Sequence, residues 1–172
     1  MDIIKKENIL DIDTNIYLNN IMNNQTFPWF FLSNSALGGK KAEENYSWAH
    51  LLYTDKKRNS EWYPQFELSI QKIIKSFNLK GELLRARIGL HTSMKKEVLG
   101  TPHIDTDLKH KVILYYFNDS DGHTYFYENR KVIKKIKPVC NSAVCFNGTV
   151  IHSSSKPVKT IKRLVLNLNI YL

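Results

Sequence analysis

The sequence predicts a mainly β protein with an N-terminal α part. One stretch before residue 80 repeats its apolar residues with a helical period. From residue 82 onward the period shortens, and short β-branched or aromatic stretches alternate with turn residues. At 172 residues the chain is also long enough to bury a core of its own.

The N-terminal stretch MDIIKKENILDIDTN carries acids and no apolar h-region, so it does not read as a secretory signal. Over residues 8–23, Ile9, Leu10, Ile16, Leu18 and Ile21 give a weak helical pattern. TFPWFFLS (26–33) reads as a strand or a buried extended segment, and LGGKKAEEN (37–45) as a loop. Pro64 opens the strongest helix, with Phe66, Ile70, Ile73, Ile74 and Phe77 on one face. Proline suits the first helical turn, where its missing N–H is not needed, and Asn78 suits the end.

The following stretches read as strands: ELLRARIGL, KVILYYFN, HTYFYE, RKVIKKIK, SAVCFN, TVIHSSS and RLVLNLNIYL. NDSDG (118–122) is a turn with an Asp-Gly signal. Such a series suggests an antiparallel sandwich or barrel. We therefore expect a single domain, 1–172, with a helical or mixed layer over 1–81 and a β core over 82–172. Residues 34–62 are either an ordered wall or a lid.

Composition narrows the class. Hydrophobic residues at 42% and charged residues at 24% exclude a disordered chain. No apolar run reaches the length of a membrane span. Cys140 and Cys145 are too few for a disulfide framework and lack the partners of a zinc site, so they read as small hydrophobes of a reducing compartment. The expected location is the cytoplasm, that of a host if the chain is viral. The net charge is +9, and from residue 130 to 163 there are Lys and Arg but no Asp or Glu. That segment is either a solvated basic face or a contact for an anionic partner such as nucleic acid, a nucleotide or an acidic substrate. No helix-turn-helix, RNP or zinc-finger pattern accompanies it.

The chemistry-bearing residues begin at GTPHIDTDLKH, 100–110. In an extended segment His103 and Asp105 point to one side. His152 follows a β-type segment and, in a folded-back sandwich, can face that pair. Two imidazoles and one carboxylate on one side of a metal leave its other positions open, as in the facial triad of non-haem iron sites. Arg163 opens an apolar strand, and its guanidinium cannot shed its charge. With no acid nearby in sequence, it calls for a carboxylate from a ligand.

These residues together resemble the Fe(II)- and 2-oxoglutarate-dependent dioxygenases, in particular prolyl-hydroxylase-like and small phage-type members. His103-Ile-Asp105, His152 and Arg163 match the H-x-D…H…R motif. KVILYYFND (111–119) is similar to the family's Tyr-Leu-Asn strand, with Tyr116 and Asn118 on its Tyr and Asn. DGHTYFY (121–127) is similar to the Gly-x-Thr-x-Phe segment, with His123 where a second glycine is usual. Pro157-Val158 matches the turn after the second histidine. The resemblance covers about 82–172 and extends loosely to FPWFF and WAHLLY. Val165 stands two residues after Arg163, where many members carry Ser or Thr.

The resemblance implies a double-stranded β-helix (jelly roll) flanked by helices. It implies Fe(II) on His103, Asp105 and His152, with 2-oxoglutarate and O2 as cosubstrates and ascorbate as an accessory reductant. The distal carboxylate of the cosubstrate would meet Arg163, assisted by the Tyr116 hydroxyl. The implied reaction is hydroxylation of a C–H bond of a peptide, protein or other substrate, with release of succinate and CO2. Two rival readings are a non-catalytic jelly-roll module and a cupin-type metal enzyme without the cosubstrate. Arg85 and Arg87 share a strand face, either as an inward pair contacting substrate or as charges blunting an edge. His91, His110 and His123 read as surface groups or as groups one layer behind the site, and Asp107 as a bystander or a group of that outer layer.

Overall fold

The computed structural model describes residues 2–33 and 45–172. Among these residues are two helices and eleven strands. The first elements are β1 (Ile4–Glu7), α1 (Ile12–Asn23), β2 (Phe30–Leu32), β3 (Ser47–Thr54), β4 (Lys57–Arg58) and α2 (Tyr63–Ser76). Then come β5 (Glu82–Thr92), β6 (His110–Tyr116), β7 (Thr124–Glu128), β8 (Lys131–Ile136), β9 (Ser142–Asn147), β10 (His152–Ser154) and β11 (Lys162–Tyr171). Most of the expected loop 37–45 lies outside the described residues.

The strands form a jelly-roll sandwich. The major sheet runs β1-β9-β6-β11-β5-β3-β2, with β4 paired to β3, and the minor sheet runs β10-β7-β8. All pairings are antiparallel. The segment before β6 extends the minor sheet beside β10 through bridges Leu99↔Ser155 and His103↔His152.

The central strand β11 is buried on both faces, and strict alternation sorts its side chains. Leu164, Leu166, Leu168 and Ile170 join the layer under the helices, with Phe66, Ile70 and Ile73 of α2 and Leu18 and Met22 of α1. Each such Leu or Ile contributes about 1.5–3 kcal/mol by leaving water. Val165 on the other face joins Val112, Leu114, Tyr116, Val144, Phe146 and Phe126 between the two sheets.

The helices end as their sequence dictates. The Asp11 carboxylate accepts from the Thr14 N–H at 2.8 Å and caps α1. Pro64 sits in the first turn of α2, and Asn78 just past it takes a left-handed φ of 53°, which Asn tolerates better than most residues.

Three readings are narrowed. The helical or mixed N-terminal layer contributes strands to the major sheet: β1 pairs with β9 at one end, while β2 and β3 extend the other beyond β5. The described part of 34–62 thus includes sheet wall. Arg85 and Arg87 do not blunt an edge, because β5 lies between β11 and β3. The basic segment is not one surface: Lys131, Lys134 and Lys135 are exposed on β8, whereas Lys156 and Arg163 are buried. No helix among the described residues is long and apolar enough to cross a membrane.

Candidate active site

His103 and His152 meet across the bridge that extends the minor sheet. Each ring Nδ1 faces a backbone carbonyl two residues earlier: Thr101 O at 2.8 Å for His103 and Val150 O at 3.1 Å for His152. A carbonyl oxygen only accepts, so each Nδ1 carries the hydrogen and each Nε2 keeps its lone pair for a metal. Asp105 completes the group. One ligand atom from each of His103, Asp105 and His152 lies within 4.8 Å of the others.

Asp105 is held from the major sheet. Its Oδ2 accepts from Asn167 Nδ2 at 3.0 Å and Asn169 Nδ2 at 2.8 Å, both on the inward face of β11. Arg85 Nη2 stands 3.0 Å from Oδ1, at ion-pair distance but off the line of a hydrogen bond. Burial alone would raise the Asp105 pKa. Arg85, His152 and the two amides outweigh it and hold the carboxyl well below the usual range. Burial pushes the His152 imidazole down to about 4, against the upward pull of Asp105. The donors near neutral pH are therefore a carboxylate and, at His152, a neutral imidazole, the states that metal coordination requires.

A cavity of about 60 Å³ runs from His103 and His152 to Arg163. Arg163 is 2% exposed and donates from Nη2 to Thr124 Oγ1 at 3.0 Å. Tyr116 stands behind them, its hydroxyl 2.8 Å from Thr124 Oγ1 and its ring 5.7 Å from the guanidinium carbon. Arg163 Nε has no partner, and among the described residues no carboxylate lies at ion-pair distance from this guanidinium. Burial lowers its pKa, Tyr116 opposes the shift, and the group stays cationic. A buried cation without an acid suits an anionic ligand. His91, opposite Arg163 in the β5–β11 register, also lines the cavity. Burial, then Arg163, Lys156 and Arg87, keep its imidazole neutral.

His103, Asp105 and His152 thus come together, with Arg163 at the far end of the same cavity. Tyr116 reaches Arg163 from behind Thr124 rather than from the cavity wall. His91 and His110 are buried rather than superficial, and Asp107 is exposed. The reading of the sequence assigned no role to Thr124, Asn167 or Asn169. Their signal was available: two Asn at alternate positions of an otherwise apolar strand, and the Thr of the Gly-x-Thr-x-Phe segment. Thr124 supplies from the opposite sheet a hydroxyl that Val165 does not.

No family model and no curated protein matches the sequence. Solved structures do. A prolyl hydroxylase from Trichoplax adhaerens, in complex with a hypoxia inducible factor oxygen degradation domain peptide fragment, aligns at TM-score 0.72 and 15% identity over 98% of this chain and 83% of its own. A 2OG-Fe(II) oxygenase family oxidoreductase from Burkholderia pseudomallei aligns at TM-score 0.72 and 9% identity over 98% and 84%. A viral collagen prolyl hydroxylase from Paramecium Bursaria Chlorella virus-1, solved with 2OG, aligns at TM-score 0.60 and 14% identity over 99% and 96%. The chain therefore shares its fold with the prolyl hydroxylases and other 2OG-Fe(II) oxygenases.

Proposed function

We propose that the chain is an Fe(II)- and 2-oxoglutarate-dependent oxygenase that hydroxylates a C–H bond of its substrate, releasing succinate and CO2. The observation that carries this reading is the joining of two features by one cavity: a His-Asp-His donor set within 4.8 Å and a buried guanidinium with no acid beside it among the described residues. The donor set fits the metal, since two imidazoles and one carboxylate on one side leave room for further ligands. The Arg163 end fits a carboxylate, since Nε is unpartnered and Thr124 adds a hydroxyl.

His103, Asp105 and His152 would hold the iron, and Arg163, with Thr124 and Tyr116 behind it, the distal carboxylate of 2-oxoglutarate. Bound together, iron, cosubstrate and O2 supply the oxidising chemistry, with ascorbate as accessory reductant. The chain's own residues do the rest. Asn167 and Asn169 orient the Asp105 carboxylate. The carbonyls of Thr101 and Val150 fix the histidine tautomers. Val165 and Leu114 line the passage with apolar surface and exclude water. A peptide or protein is the substrate class we favour, supported by the prolyl-hydroxylase neighbours; steep weakening of polyanion binding with salt would instead favour a nucleotide or nucleic acid.

The test is succinate formation from 2-oxoglutarate with Fe(II), ascorbate and O2, alongside binding of 2-oxoglutarate to the Mn(II)-loaded protein. Both should be present in the wild type. His103→Ala should lose the metal, and Arg163→Ala the cosubstrate. Neither turnover nor metal-dependent binding in the wild type would leave a non-catalytic jelly-roll module.

A further inference from the structure

Arg87 is a second cation in the cavity that the proposed reaction does not use. Arg85, Arg87, Gly89 and His91 follow one another on the inward face of β5, opposite Asn169, Asn167, Val165 and Arg163 of β11. His91 therefore lies at the Arg163 end and Arg85 beside Asp105. Arg87 falls between them, on the cavity wall with Asn167, and its other neighbour strand is β3, whose Ser47, Trp48 and Ala49 line the same cavity. Gly89, the next residue on this face, has no side chain to close the space between Arg87 and His91.

Among the described residues Arg87 has no acid of its own. Asp105 attracts it from a distance, but Arg85 holds that carboxylate at 3.0 Å. Among the described residues no carboxylate lies at ion-pair distance from Arg87. Burial and then the like charge of Arg85 destabilise its cationic form. An unpaired guanidinium in such a place is costly unless a ligand pairs with it. The cosubstrate's distal carboxylate is already matched by Arg163 at the other end, and its keto-acid end by the metal.

We propose that Arg87 receives an anionic group, carboxylate or phosphate, carried by the primary substrate, with Ser47 and Ala49 of β3 forming the adjoining wall. This rests on the oxygenase reading and adds a requirement to it: the substrate is an anion with its charge held near the metal. The guanidinium offers a planar fork that fits two oxygens of either group. Ala49 stands opposite Gly89 in the register, so the β3 wall beside Arg87 is made of small side chains and leaves room for a ligand.

The experiment uses the full chain loaded with Mn(II) and saturating 2-oxoglutarate, so that Arg163 is occupied. Inorganic phosphate and acetate are titrated in separately at constant ionic strength, followed by calorimetry. Saturable binding of at least one anion is expected. It should weaken by about tenfold or more in Arg87→Gln and be partly restored in Arg87→Lys. The tighter of the two anions separates a phosphate-bearing from a carboxylate-bearing substrate. No saturable binding, or equal binding in Arg87→Gln, overturns the proposal. So does a comparable loss of 2-oxoglutarate affinity in Arg87→Gln, which would assign Arg87 to the cosubstrate. Failure of the wild type to bind 2-oxoglutarate would sink the oxygenase reading instead. The same titration of Arg163→Gln, with and without Arg87→Gln, then still decides whether Arg87 is an anion site.

Discussion

His103 and His152 exchange both backbone hydrogen bonds, each N–H donating to the other's carbonyl at 3.0 Å. The spacing of the two imidazoles is thus set by sheet geometry, and their tautomers by the carbonyls of Thr101 and Val150. Because the bridge is made by backbone, removing a side chain removes a proposed ligand without unpairing the strands. His103→Ala and His152→Ala should each lose Co(II) or Mn(II) binding, read by absorption or calorimetry. Their far-UV circular dichroism should match the wild type. Retained metal binding in either variant would count against the donor set.

The two asparagines on β11 offer a finer test, because neither donates an atom to the proposed metal. Each bonds Asp105 Oδ2 and so leaves Oδ1 facing His103, 3.8 Å from its Nε2. Groups that orient a ligand from behind typically change metal affinity by about 10–100-fold. Asn169→Ala should weaken metal binding by that order. Asn167→Ala should do so less, since its bond is the longer. An unchanged dissociation constant in both variants would mean that Arg85 alone positions the carboxylate.

Arg163 tests the cost of a buried cation that no acid among the described residues pairs. Arg163→Met keeps much of the volume and removes the charge, and such replacements are often neutral or stabilising. The metal-free variant should melt no lower than the wild type. With Mn(II), the wild type should gain about 2.7 kcal/mol at 2-oxoglutarate one hundred times its dissociation constant, and the variant nothing. Thr124→Val, nearly the same shape without the hydroxyl, should keep part of that gain. A drop in the melting point of metal-free Arg163→Met would show that the guanidinium stabilises the empty fold.

Much of this was legible in the sequence, for a physical reason. Where one face of an element is buried, burial writes a period: Phe66, Ile70 and Ile73 announced α2, and the alternation of RLVLNLNIYL announced β11. Short edge strands write none. All four residues of β1 are exposed, and β1 joins the sheet through backbone bonds to β9. The basic segment does not map to one surface, because charge counted along the chain ignores direction. Lys156 and Arg163 turn inward, while the lysines of β8 face water. The donor set was legible through the H-x-D spacing and its resemblance. The Gly-x-Thr-x-Phe segment marked Thr124 but not its partner, because Arg163 lies on the opposite sheet and only the fold brings the two within 3.0 Å.

Gly122 links the turn before β7 to the Arg163 end of the cavity. A Cβ there would stand 2.7 Å from Ser155 O, 2.9 Å from Pro157 N and 3.2 Å from Arg163 Cδ. Two of those atoms are backbone and cannot rotate away. Gly122→Ala should therefore destabilise by about 1–3 kcal/mol, as overpacking generally does. It should also weaken 2-oxoglutarate binding more than metal binding, because the nearest movable side chain is Arg163. Calorimetry with each ligand in turn would show the split; equal losses would place the strain elsewhere.

His50, outside the proposed metal site, makes stability depend on pH. Its Nδ1 donates to Pro28 O at 2.7 Å, and its Nε2 accepts from Ser60 Oγ at 2.7 Å, so the neutral ring is fully paired. Ser60 Oγ in turn accepts from the Trp62 N–H at 3.0 Å, just before α2. Burial lowers the His50 pKa below its ordinary 6.5, with the Pro28 carbonyl pulling the other way. The sign follows from linkage: below about pH 6.5 the unfolded chain binds a proton at this residue more readily than the folded one. Its contribution is present in full above that pH and is lost as pH falls. His50→Phe preserves a ring against Phe27, now 4.6 Å away, and cannot titrate. Urea midpoints measured at about pH 7.5 and 5.5 should drop further for the wild type than for His50→Phe, the other histidines being common to both. Parallel drops would mean that His50 is protonated as readily folded as unfolded, and would remove it as the acid-sensitive joint between β3 and the start of α2.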